Sequence, residues 1–137
     1  MKNRVLWTLV AASALIAPLA AHHSFSAEFD DKQPIVLKGT VSKFEMVMPH
    51  SFVYVDVKDE KGTSTWAVEF ANPNQLFRNG WNKNTMKPGM EITIRGWRAK
   101  DGSTKAQGTF VQLADGTTLL NTRSPAERAA SENAPAK

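Results

Sequence analysis

The chain has 137 residues, 17 Lys and Arg against 13 Asp and Glu, no cysteine, and a formal net charge of +4. This length holds one small domain and no second core, and 42% hydrophobic with 22% charged residues excludes a compositionally disordered chain. The basic balance argues for a nucleic-acid partner only if the excess charge sits on the working surface.

Lys2 and Arg4 precede a run from Val5 to Ala17 that is apolar apart from Thr8 and Ser13, with Pro18 and the small residues Ala20 and Ala21 behind it. This pattern predicts a secretory signal peptide over residues 1–21. The run is shorter than the roughly 20 residues of a membrane-spanning helix, and no stop-transfer charges follow it directly. The expectation is therefore a periplasmic or secreted protein with no stable membrane anchor after cleavage. Without cysteine it carries neither a lipid-bearing thiol nor a disulfide. Cleavage removes two positive charges and no negative ones, which leaves 15 against 13, and residues 22–120 carry 12 against 11, scattered along the chain. The electrostatic footprint of a nucleic-acid binder is gone.

The first strand is predicted over Ile35 to Val47, with Gly39 marking a bulge or tight bend. In Ser51 to Lys58, Val53, Val55 and Val57 alternate with Phe52, Tyr54 and Asp56, so one face is core. Asp59 to Gly62 form a hairpin turn, and the return strand Ser64 to Phe70 places Trp66, Val68 and Phe70 on one face. Asn72 and Pro73 read as the N-cap and first residue of a short helix, with Leu76 and Phe77 as its buried pair and Gly80 as its stop. Lys87, Pro88 and Gly89 turn the chain into Met90 to Trp97, where Met90, Ile92 and Ile94 face inward. Asp101 with Gly102 leads to Thr104 to Leu113, and Asp115 with Gly116 to a last short strand ending near Leu120. Residues 121–137 contain no aliphatic residue larger than Ala and no aromatic, and are expected to be a disordered tail.

Three strands, a helix and two or three further strands in about 100 residues predict an all-β domain over residues 22–120, with one short helix. The order is that of a small five- to six-stranded OB-like Greek-key barrel. A β-sandwich would normally need about seven strands.

The only histidines are His22, His23 and His50. If the signal peptidase cuts after Ala21, the free α-amine and the imidazole of His22 stand side by side, and His50 would complete a T-shaped set of three nitrogens, the arrangement of histidine-brace copper sites. Planar nitrogen ligands favour Cu(II). If it cuts after Ala20, His23 becomes the third residue, and the amine, two amides and an imidazole can wrap Cu(II) or Ni(II) without His50. Met46, Met48 and His50 would share one side of a regular strand, which suits Cu(I), although Pro49 argues that the strand ends or bends there. Zinc fits less well than copper, because there is no cysteine; Glu28, Asp30 or Asp31 would have to add a carboxylate. Weighed against these, adjacent histidines at an exported terminus can be merely solvated, and the methionines ordinary core filler. Trp66, Trp81 and Trp97 with Tyr54 and Phe52 offer a stacking platform on paper but read as core. Asp56 and Glu69 read as surface charge. No nucleophile elbow or phosphate loop occurs.

On His22, His23, Ser24 and Phe25 with Glu28 and Phe29, on Lys38 to Val41, on Pro49 and His50 followed by Tyr54 to Asp56, and on Pro73, Asn74, Leu76, Arg78, Gly80 and Trp81, the chain resembles a family of small exported proteobacterial proteins known only as a domain of unknown function. The resemblance runs from His22 to about Leu120. It implies export, a small β-barrel and signature positions at His22, His23 and His50, with Trp and Asn in the family where this chain has Met46 and Met48. The resulting expectation is a metal-binding protein, a copper carrier rather than an enzyme, with His22 and His50 as ligands and His23 auxiliary. Its partners would be the metal ion and a periplasmic partner protein. The competing class is a non-metal OB-like binding module for a small molecule, peptide or partner protein.

Overall fold

The computed structural model describes residues 25–121. The expected signal peptide, its cut site, His22 and His23 lie outside the described residues, as do positions 122–137 of the expected tail. A one-turn helix α1 (Phe25–Glu28) leads into β1 (Phe29–Glu45), β2 (Ser51–Asp59) and β3 (Gly62–Phe70); helix α2 (Pro73–Arg78) then precedes β4 (Glu91–Ala99), β5 (Lys105–Leu113) and β6 (Thr118–Leu120). The strands form one sheet in the order β3-β2-β1-β4-β5-β6, and β5 also pairs with β3, in parallel, so the strands run in a ring. The all-β class and the helix between the third and fourth strands are as the sequence predicts.

Within the ring β1 serves two neighbours along its length. From Pro34 to Thr40 it pairs with β4, and from Thr40 to Glu45 with β2. Gly39 stands at the hand-over: a Cβ there would lie 2.2 Å from the carbonyl oxygen of Asp56, so only glycine lets the two backbones approach. The bulge itself falls two residues later, between Val41 and Lys43. β1 begins at Phe29, six residues before the predicted Ile35, and ends at Glu45 rather than Val47.

Alternation then builds the interior. Val53 and Val55 from β2, Trp66, Val68 and Phe70 from β3, Ile92 and Ile94 from β4, and Ala106 and Val111 from β5 are all buried in one cluster with Leu37 and Val41. Each fully buried aliphatic side chain contributes about 1.5–3 kcal/mol of transfer free energy. α2 closes one end of the ring. Asn72 is its N-cap, with its side-chain oxygen accepting from the Gln75 N–H at 3.0 Å, Pro73 opens the helix, and Gly80 at φ 89° ends it. Leu76 is completely buried, but Phe77 is 57% exposed, which corrects the expected buried pair. A step of 100° around a six-residue helix carries Phe77 away from the ring, and Trp81 fills the space instead, with ring centroids 5.1 Å from Phe70 and 6.1 Å from Phe44.

Asn121, the first residue assigned by sequence to the tail, is only 8% exposed and is fastened into this end. Its backbone N–H donates to the Thr109 carbonyl, its side chain bonds Ala71 and Gly108, and its carbonyl accepts from Asn79 Nδ2 at 2.6 Å.

Candidate functional site

His50 precedes β2 by one residue, at the end of the β1–β2 connection, with its side chain 51% exposed. Its Nδ1 lies 3.2 Å from Oε1 of Glu69, whose side chain is 18% exposed. The hairpin register explains the meeting. Ser51 pairs with Phe70 and Phe52 with Glu69, so His50 and Glu69 are diagonal neighbours on the outer face of the sheet, opposite Val68 and Phe70 in the core. Counting back from the Glu60–Lys61 turn places Glu69 beside His50 from sequence alone, although as a lone carboxylate it reads as surface charge.

A continuous outer row runs through this pair. Glu45 on β1 faces Phe52 on β2, Phe52 faces Glu69 on β3, Glu69 faces Gln107 on β5, and Gln107 faces Trp97 on β4. Beside it Lys43 pairs with Glu45 and sits 5.5 Å from the Tyr54 ring centroid. The hydrogen bond from Lys43 holds the Glu45 carboxyl below its ordinary range and, from the other side, raises the Lys43 ammonium. Desolvation, then the hydrogen bond to Glu45, raises the Tyr54 phenol.

The expected thioether arrangement does not form. β1 stops at Glu45, Met46 packs against the core, Met48 is 67% exposed, and the Met48–Pro49 peptide is cis. A regular strand would have kept Met46, Met48 and His50 on one side; the connection from Met46 to His50 is not a strand. The aromatic platform is likewise not assembled, since Trp66 and Trp81 belong to the core, while Phe52 and Tyr54 form an outer pair at 6.3 Å. Asp30, a candidate carboxylate donor, has both oxygens engaged locally, by the Lys32 N–H at 3.0 Å and the Gln33 amide at 2.7 Å.

Among the described residues no group of three or more His, Asp or Glu side chains is placed to hold a metal ion. They supply two potential donors side by side, His50 and Glu69. A concave surface of about 780 Å³ lies elsewhere, where β1 passes between β2 and β4, lined by Lys38, Gly39, Thr40, Asp56, Lys58 and Glu91 among others.

The outer histidine–carboxylate pair thus lies on a small all-β protein whose strands run in a ring. The chain belongs to a family of unknown function, DUF6152, whose model matches residues 9–110. No curated protein and no solved structure matches it.

Proposed function

We propose that the protein is an exported metal-binding protein, a periplasmic copper carrier in which His22 and His50 are the principal ligands and His23 is auxiliary. The observation that carries this reading is the half-exposed His50 imidazole, with Nδ1 against the Glu69 carboxylate and Nε2 free of hydrogen bonds among the described residues. An imidazole so oriented is the usual form of a metal ligand, and a surface site suits a carrier that must give up its ion.

The length of chain before Phe29 supports the reading. Phe29 pairs with Ala99, and two residues back along β4 Trp97 joins the row through Gln107 to Glu69. Phe29 and Ala99 are buried, yet stand outside the main core cluster. Three strand spacings of about 4.8 Å and two strand residues put Phe29 within roughly 21 Å of Glu69. His22 lies seven residues before Phe29, and seven residues span up to about 25 Å. His22 is thus within reach of Glu69, the diagonal neighbour of His50, by chain length.

The test is to establish the mature N-terminus by intact mass and titrate the exported chain with Cu(II). The expected result is one equivalent bound, lost in His22→Ala, weakened in His50→Ala, and weakened at low pH as the amine and imidazoles protonate. Unchanged copper affinity in the double variant His22→Ala, His50→Ala overturns the reading.

The groove at Gly39 favours a second reading, a binding module for a small polar molecule, since its wall carries both lysines and carboxylates. A thermal-shift screen of zwitterionic small molecules, repeated on Lys38→Ala, tests it. No stabilisation of the wild-type chain by any of them removes it.

A further inference from the structure

We infer that Glu69 is a positioning residue for His50: its carboxylate fixes the imidazole as the Nδ1–H tautomer, so that the ring takes a metal only through Nε2. The metal half of this inference rests on the reading above; the tautomer half does not.

Three observations lead to it. The contact is made by Nδ1, not Nε2, at 3.2 Å from Oε1, a distance at which an N–H donor and a carboxylate acceptor are hydrogen-bonded. A carboxylate can only accept, so the neutral imidazole keeps its one proton on the nitrogen that faces it. The two partners also differ in freedom. His50 ends an irregular connection and is half exposed, whereas Glu69 stands inside β3, flanked by Phe52 on one side and Gln107 on the other, with most of its side chain covered. The better-anchored carboxylate therefore holds the looser ring. Ser51, the next residue, turns the opposite way into the core and is fully buried, with its N–H bonded to the Ala71 carbonyl at 3.1 Å, which fixes the backbone from which His50 projects.

The consequence is chemical. With Nδ1 turned to Glu69, Nε2 is the nitrogen of the half-exposed ring left to take a ligand. Loading a metal then requires no rupture of the His50–Glu69 contact. Glu69 itself stays outside the coordination sphere.

The experiment uses the exported chain, labelled with nitrogen-15 and first free of metal, at a pH above the imidazole titration. Long-range proton–nitrogen spectra should show His50 with a pyridine-like Nε2 and a protonated Nδ1. Glu69→Ala should release it toward the Nε2–H tautomer, and Glu69→Gln, whose amide oxygen still accepts, should restore the Nδ1–H form. Copper affinity should fall about 10- to 100-fold in Glu69→Ala, the usual cost of losing such a partner, and recover in Glu69→Gln. Circular dichroism confirms that both variants are folded.

An Nε2–H tautomer in the wild-type chain, or a tautomer unmoved by Glu69→Ala, overturns the positioning role even if copper binds. The Nδ1–H tautomer in a chain that binds no copper leaves the positioning intact and removes the metal reading, with the ligation part of this inference. Copper affinity unchanged in a folded Glu69→Ala variant overturns the ligation part alone.

Discussion

The Ala71 N–H donates to the side-chain oxygen of Asn121 at 2.7 Å, across fifty positions of sequence. The same amide donates through Nδ2 to the Gly108 carbonyl at 2.8 Å, so one side chain ties the end of β3 to the middle of β5. Two backbone groups in a nearly dry place depend on it.

Asn121→Ala is expected to destabilise the fold by about 1–3 kcal/mol, since it strands the Ala71 N–H and the Gly108 carbonyl. Asn121→Asp should recover only the bond to Ala71, because a carboxylate has no N–H for Gly108. Urea unfolding monitored by tryptophan fluorescence measures both. Chains ending at Leu120 and at Asn121 separate the same effect from that of the tail; equal stability would show that the lock contributes nothing.

Gly39→Ala is expected to cost about 1–3 kcal/mol or more, because its Cβ would lie 2.2 Å from the Asp56 carbonyl oxygen, a contact that only backbone movement relieves. Gly62→Ala is the informative comparison. Its Cβ meets nothing, and only its φ of 127° resists a side chain. Loss of the β1–β2 amide protection in hydrogen exchange for Gly39→Ala, without the same loss in Gly62→Ala, would locate the damage at the hand-over of β1.

Stability should fall in acid through three carboxylates hydrogen-bonded to near neighbours in the chain. Hydrogen bonds from the side chain and then the N–H of Ser103 hold Asp101 below the usual carboxylate range, the N–H of Thr117 does so for Asp115, and the N–H of Lys32 with the Gln33 amide for Asp30. A folded pKa below the unfolded one gives stability that is complete above the unfolded value near 3.8 and is lost as pH falls through the lower, folded value. The midpoint of thermal unfolding should hence drop below about pH 4, with a shallower drop in the triple variant Asp30→Asn, Asp101→Asn, Asp115→Asn. Identical slopes would assign the acid sensitivity to other groups.

Much of the fold was legible locally. The alternation of Val53 and Val55, the turn at Glu60–Lys61, and the cap at Asn72 with Pro73 depend on neighbours in the chain, so propensity and period reveal them. The exposure of Phe77 was not legible, because a helix of six residues has too few turns for periodicity to show which face is apolar. Half of the candidate site was equally legible: histidine scarcity drew attention to His50, while nothing in a single glutamate among thirteen acidic residues distinguished Glu69.

By itself the sequence determined the all-β class, the strand order along the chain, the core faces of β2 and β3, and the near-neutral charge of residues 22–120. These follow from side-chain chemistry repeated at short spacing. Only the tertiary structure decided that β1 is shared between β2 and β4 at Gly39, that β5 returns to β3, that Asn121 belongs to the folded unit, and that His50 turns its Nδ1 to Glu69. Each of these is a contact between groups far apart in the chain, whose geometry depends on strand register and ring closure.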